Sequence, residues 1–162
     1  MAELEIELAT PDDVGVVHKL VLALARYERL EREVTASVGD TRELLFGPRP
    51  FAEALLARWL GEPAGLAVFF HNVSTFAGKP GLFLEDLFVK PEFRRRGVGK
   101  ALLSHAATLA RARGCRRLEW TALDWNRPAL DFYGRLGARV CDGWVVLRLE
   151  GSALEELASS AW

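Results

Sequence analysis

Leu82-Phe83-Leu84-Glu85-Asp86-Leu87-Phe88-Val89, followed by Pro91 and then by Arg94-Arg95-Arg96-Gly97-Val98-Gly99-Lys100, reads as a strand, a break and the start of a helix. The first run is mostly apolar and Pro91 ends it. Beyond the glycines, Val98, Leu102, His105/Ala106 and Leu109 repeat at helical spacing as far as Arg113, and Gly114 stands where a C-terminal cap belongs. Two adjacent carboxylates, Glu85 and Asp86, interrupt the strand. Gly97 and Gly99 let the backbone turn tightly and approach a ligand. The free amides at a helix start, reinforced by three arginines and a lysine, make a local anion site. Read alone, the same stretch is also a surface turn whose cations are merely solvated. It is neither the Gly-x-x-x-x-Gly-Lys-Ser/Thr of a nucleotide triphosphatase nor a three-glycine dinucleotide fingerprint.

Upstream, Glu3 to Leu8 alternates charged and apolar residues, the period of a half-buried strand. Thr10-Pro11-Asp12-Asp13 then supplies an N-cap, a first-turn proline and first-turn acids for a helix reaching about Leu30, with Val14, Val17, Val21 and Leu24 on one face. A shorter helix is expected around Asp40 to Leu45, ending at Gly47-Pro48. Phe51 to Leu60 and Gly65 to Asn72 read as a hairpin turning at Gly61-Glu62-Pro63-Ala64, and Ser74 to Gly81 as a polar loop. Downstream come a strand over Cys115 to Leu123, a helix from Asn126 to Leu136 ended by Gly137, and two short strands within Ala138 to Leu149. Ser152-x-x-Glu155 is the capping box of a last helix. The fold class is α/β (α+β): a mixed, mostly antiparallel sheet flanked by helices in the order β-α-α-β-β-β-α-β-α-β, one domain over residues 1–162.

Composition narrows the function. A chain of 162 residues with 50% hydrophobic and 27% charged residues is globular, and 21 basic against 22 acidic residues leave a net charge of -1. No global positive field holds nucleic acid or anionic lipid, so neither is an expected partner and any bound anion is held locally. The first residues have neither the basic nor the apolar region of a signal peptide, and no apolar run approaches the roughly 20 residues of a membrane helix. Cys115 and Cys141 are too few for a secreted disulfide scaffold, and His18, His71 and His105 form no short-spaced ligand pair. A cytoplasmic protein without a metal is expected. Trp162 is either a frayed end or a residue docked on a partner subunit.

Arg94-x-x-Gly97-x-Gly99, between a strand and a helix, resembles the acyl-CoA signature of the GNAT superfamily of N-acetyltransferases. Leu84-Glu85-Asp86-Leu87-Phe88-Val89 before it, and Trp125-Asn126-x-Pro128-Ala129-x-x-Phe132-Tyr133-x-x-x-Gly137-Ala138 after it, resemble the diamine (spermidine/spermine) and thialysine N-acetyltransferase branch. Leu24-Ala25-x-Tyr27-Glu28 and Asn72-x-Ser74-Thr75-Phe76 are similar to the same branch, so the likeness covers most of the chain. Val73 stands where branch members often carry an aromatic, and the stretch from Gly137 to Trp144 is shorter than in the animal diamine enzymes; both departures bear on the identity of the amine.

The resemblance implies acetyl-CoA as co-substrate and a homodimer. Pantetheine would lie along the backbone of Leu87, Phe88 and Val89, with the Arg94, Arg95, Arg96, Gly97, Val98, Gly99 and Lys100 loop on the pyrophosphate. Asn126, Arg127, Pro128 and Ala129 would close the far side. A strand edge pairs with amide-bearing pantetheine much as with an added strand. Asn126 also reads simply as an N-cap. Acetylating a protonated amine needs a base, and Glu85 is the candidate, directly or through water; the other reading leaves it only binding the cation. The departing thiol needs a donor, which the resemblance assigns to Tyr133. For the acceptor it points to Tyr27, Glu28, Glu85, Glu119, Trp120, Thr121 and Asp142, carboxylates and aromatics suited to a small cationic amine such as a polyamine or a lysine-like amino acid. A protein N-terminal or lysine acetyltransferase, and a catalytically idle acyl-CoA sensor, are the competing readings.

Overall fold

The computed structural model describes residues 3–160, so Trp162 lies outside the described residues. The chain divides into two compact units, one ending at Leu123 and one starting at Asp124.

The first unit holds β1 (Leu4–Leu8), α1 (Val14–Tyr27), α2 (Val38–Phe46), β2 (Glu53–Trp59), β3 (Glu62–Ser74), β4 (Lys79–Val89), α3 (Val98–Ala112) and β5 (Leu118–Trp120). The strands form one sheet in the order β1-β2-β3-β4-β5, antiparallel throughout except for the parallel pair β4 and β5 that α3 connects. Thr10 opens the first helical segment, its amide and hydroxyl both donating to the Asp13 carboxylate at 2.8 Å. After a single 3-10 turn at Pro11–Asp13, α1 runs to Tyr27, three residues short of the expected Leu30, and Arg29 takes a left-handed φ of 62° just beyond it. Ser37 caps α2 through its hydroxyl, which accepts from the Asp40 amide at 3.1 Å.

Each face of the sheet has its own apolar layer. Val17, Leu20 and Leu24 of α1 and Leu45 of α2 pack with Ala54, Leu56, Leu66, Val68 and Phe88. The alternate strand residues Leu55, Ala57, Ala67 and Phe69 are buried as well, as are Val98, Leu102, Leu103, Ala106 and Ala110 of α3. Fully burying one such side chain is worth about 1.5–3 kcal/mol.

Three connections differ from the sequence reading. The β2–β3 turn is Leu60-Gly61, both with positive φ (49° and 84°), the two-residue hairpin geometry that matches strand twist. Glu62 and Pro63 therefore belong to β3, where a register shift beside Ala57 and Arg58 accommodates the proline. The expected loop from Ser74 to Gly81 contracts to four residues, because Ser74 already pairs with Lys79. β5 is shorter than Cys115 to Leu123: the Cys115 amide still bonds the Ala110 carbonyl at the end of α3, and the ladder stops at the pair Leu84 and Trp120.

In the second unit, α4 (Arg127–Arg135) is followed by an irregular segment and α5 (Gly151–Ser159). The two strands expected within Ala138 to Leu149 are absent among the described residues. Val140, Trp144, Val145, Val146 and Leu147 are 73–88% exposed there, and no ladder partner completes a sheet around them. α5 begins after Glu150 rather than at Ser152, without a side-chain cap, so the expected capping box is not used.

Candidate active site

The strand β4 and the glycine turn that leads from it into α3 both belong to the first unit. Along β4 the register to β3 runs Val68 with Asp86, then Phe69 with Leu84, so Glu85 is an extra residue without a counterpart. This is a β-bulge, which bends the strand and re-aims its side chains. Strict alternation from Leu82 and Leu84 would place Asp86 and Phe88 on the α3 face. The bulge puts them instead beside Val68 and Leu66, on the face covered by α1. Glu85 itself is exposed and Asp86 is half-buried. The bulge turns the Glu85 side chain out and gives the more enclosed position to its neighbour. Burial, the adjacent Glu85 charge and the Glu28 charge together push the Asp86 carboxyl up to about 6. Burial alone also raises Glu28 above the ordinary carboxylate value.

The bulge has a second effect. The β5 ladder covers only Leu82, Phe83 and Leu84 of β4, so beyond it the edge from Glu85 to Val89 carries no strand among the described residues of this unit. Leu87, Phe88 and Val89 lie on that stretch. Ahead of α3, Arg95 and Gly97 both take left-handed φ (64° and 82°), and a Cβ built on Gly97 meets nothing within 4 Å. The turn therefore opens outward and delivers the chain into a 15-residue helix with no acidic residue in its first turn. Arg95 and Lys100 are exposed and make no ion pair among the described residues. An open strand edge continuing into a helix start with free cations fits a ligand that carries amides at one end and a pyrophosphate at the other.

Of the acceptor candidates, Tyr27 and Glu28 meet β4 at Phe88 and Asp86, and Glu85 is the chain neighbour of Asp86. Tyr27 ends α1 and its ring lies 6.5 Å from that of Phe88, while Glu28 caps the helix and interacts with Asp86. Trp120, half-buried, pairs in register with Leu84, one residue from the bulge, and Thr121 follows it exposed. Glu119 is engaged elsewhere: its Oε1 accepts from Arg117 Nε at 2.7 Å and from Asn72 Nδ2 at 3.2 Å. Its charge already has a cationic partner, so it is a poorer receptor for an ammonium. Asp86 was not singled out as a site residue from sequence, although two adjacent acids in an apolar strand were its visible signal.

In the second unit Asn126 is a buried polar residue, 8% exposed, and its Oδ1 accepts from the Ala129 amide at 3.4 Å, the N-cap of α4. Arg127 and Pro128 are exposed, and Ala129 is half-buried. Tyr133 is half-buried on the same helix, its ring 5.4 Å from that of Phe132, and Asp142 is exposed in the irregular segment.

Comparison with known proteins places this geometry. The pattern of the Acetyltransferase (GNAT) family matches residues 20–138. The chain is 38% identical to a thialysine N-epsilon-acetyltransferase of Bos taurus, covering 98% of this chain and 99% of that protein. It is 32% identical to the L-ornithine N5-acetyltransferase NATA1 of Arabidopsis thaliana, over 94% of this chain and 86% of the relative. Among solved structures, an integron cassette protein from the mobile metagenome of V. cholerae superposes with a TM-score of 0.81 at 28% identity, covering 99% of this chain and all of that one. A bulged strand edge leading into a glycine turn and helix, with a matching pattern from α1 to the end of α4, means that this chain belongs to the acetyltransferase (GNAT) family.

Proposed function

We propose that this protein moves the acetyl group of acetyl-CoA directly to the primary amine of a small cationic acceptor, a diamine or polyamine or a lysine-like amino acid. The observation that carries the reading is the bulge at Glu85, which sets two adjacent carboxylates beside an open strand edge and turns the second of them toward the Glu28 charge. Full-length relatives named for acetyl transfer to thialysine and to L-ornithine support an acceptor of that size with a terminal ammonium.

Acetyl-CoA supplies, when bound, an acetyl thioester open to attack by a neutral amine. The backbone of Leu87, Phe88 and Val89 would hold its pantetheine amides and the amides from Arg95 to Lys100 its pyrophosphate, and the family resemblance gives Asn126 to Ala129 a further part in cofactor binding. An alkylamine with a pKa of about 10.4 reaches the enzyme protonated. Tyr27, Glu28 and Glu85 bind that cation, and Glu85 removes the proton, directly or through a water. Tyr133 donates the proton of its phenol oxygen to the departing sulfur in this reading. Trp120, Thr121 and Asp142 complete the acceptor side in this reading, and Glu119 contributes through its hold on Asn72.

The protein works as a single acetyltransferase domain in a cytoplasmic setting and as a homodimer. The exposed apolar run from Trp144 to Leu147 supports self-association. Light scattering at micromolar concentration tests the dimer. The activity is tested by CoA release with acetyl-CoA and thialysine, lysine, putrescine, spermidine, spermine or an N-terminal peptide, with Tyr133→Phe as control. Turnover that depends on Tyr133 and is confined to small amines is the expected result; turnover confined to the peptide overturns the acceptor class.

A further inference from the structure

The three arginines ahead of Gly97 are aimed at different places. Arg94 follows the 3-10 turn Pro91–Phe93 with extended backbone (φ -67°, ψ 156°), and its side chain folds back toward the sheet. Its Nε donates to the Val89 carbonyl at 3.0 Å. Its Cζ stands 4.6 Å from the centre of the Tyr27 ring and 5.8 Å from that of Phe88. Because Tyr27 and Phe88 are themselves in ring contact at an angle of 49°, the three side chains form one stack from the glycine turn across β4 to the last residue of α1. Arg96 turns to the Trp59 ring at 5.2 Å. Arg95 and Lys100 make no such contact among the described residues and remain exposed.

We infer that Arg94 is a positioning residue that carries the state of the acetyl-CoA turn to Tyr27, and so couples binding of the two substrates. The inference rests on the amine acetyltransferase reading, in which Tyr27 lies on the acceptor side. Anion binding falls to Arg95, Lys100 and the α3 amides. A guanidinium suits this work because its flat face stacks on a ring while an edge N–H bonds a carbonyl in its plane, which an ammonium cannot do at once. When the turn closes on a pyrophosphate, Arg94 is held with it, and the Tyr27 ring loses freedom before the amine arrives. Such coupling is reciprocal: whatever acetyl-CoA does for the amine, the amine does for acetyl-CoA.

Arg94→Lys keeps the charge and removes the stack, so it separates this role from that of a phosphate ligand. A stacked cation of this exposure is worth a factor of about 2–5. Steady-state kinetics are therefore expected to show the amine KM rising about fivefold in Arg94→Lys, with the acetyl-CoA Kd and kcat within about twofold of the original. Tyr27→Leu also raises the amine KM, and the double variant is no worse than the poorer single one. Arg95→Ala does the opposite, weakening acetyl-CoA and sparing the amine. A loss of acetyl-CoA affinity in Arg94→Lys with an unchanged amine KM, or additive effects at 94 and 27, overturns the inference.

Urea unfolding of the same four proteins, with and without saturating CoA, needs no turnover. The Arg94–Tyr27 cycle is expected to be non-additive by about threefold in the unfolding constant without CoA, and by more with it. Equal cycles in the two conditions overturn the inference whatever the acceptor. If the unaltered protein acetylates no amine, the proposed function fails while the CoA-dependent cycle still decides whether Arg94 links the turn to Tyr27.

Discussion

Replacing Asp86 by asparagine removes a charge from a place where the fold resists it, and the gain in stability depends on pH in a defined way. The carboxyl rises from the usual 3.8 to about 6 because burial and the Glu85 and Glu28 charges all disfavour its ionised form. A group raised in the folded state is most favourable below its unfolded pKa, and that advantage is lost as pH climbs through the folded value. From 3.8 to 6 is a rise of 2.2, which at ~1.36 kcal/mol per pH unit is about 3 kcal/mol of stability present near pH 3 and absent above pH 7. Asparagine does not titrate, so any constant difference in packing or hydrogen bonding cancels when the two proteins are compared across pH. Asp86→Asn is expected to gain on the original by up to about 3 kcal/mol between pH 3.5 and 7.5, most of it between pH 4 and 6. The assay is urea unfolding followed by far-ultraviolet circular dichroism, with ΔG extrapolated at each pH. Glu28→Gln, which removes one of the charges facing Asp86, should move the midpoint of the change to lower pH. A difference between the original and Asp86→Asn that stays constant within about 0.5 kcal/mol over this range refutes the placement of Asp86.

Other expectations test the remaining parts of the site. Glu85→Gln and Tyr133→Phe should each lower kcat by roughly 10–10⁴-fold while acetyl-CoA still binds, measured by CoA release and calorimetry; unchanged turnover in both removes the acid and base assignments. Gly97→Ala meets no neighbour within 4 Å but must hold φ at 82°, so the expected loss is about 1 kcal/mol with weaker acetyl-CoA binding and no clash elsewhere. Gly65→Ala is the contrasting case, because its Cβ would lie 2.5 Å from the Phe88 carbonyl oxygen and 3.3 Å from the Val89 Cα. Backbone cannot swing aside as a side chain does, so β3 and β4 must part behind the acetyl-CoA edge. Thermal unfolding should show a loss of about 1–3 kcal/mol together with weaker acetyl-CoA binding.

What the sequence made legible was whatever depends on a residue's own neighbours along the chain. The α1 and α3 faces follow from helical spacing, and Gly114 takes the left-handed φ of 69° that its position after α3 required. What it hid depends on partners in space. The apolar run near Val145 has strand composition, but a strand exists only where another backbone completes its ladder, and composition does not name that partner. The proline at 63 marked a turn by habit, while the hairpin turned at Leu60-Gly61 and a register shift absorbed the proline. Tyr133 and Phe132 stand together on an amphipathic helix and are indistinguishable from core residues by spacing, so only the family pattern separates them. The bulge is the deepest case. A single extra residue leaves the composition of β4 unchanged and reverses the face of everything after it, so the alternation that reads β1 correctly misplaces Asp86 and Phe88. Yet the misplacement had a visible trace: strict alternation would bury Asp86 beside Leu82 and Leu84, against the apolar layer of α3, where its charge would find no relief. Inserting Glu85 as the extra residue keeps that face apolar, sends the second acid toward Glu28, and ends the ladder with β5. The one local irregularity thus accounts for the open strand edge and for the paired carboxylates, so an acid pair breaking an apolar strand ahead of an Arg-x-x-Gly-x-Gly turn is the feature from which both halves of this site follow.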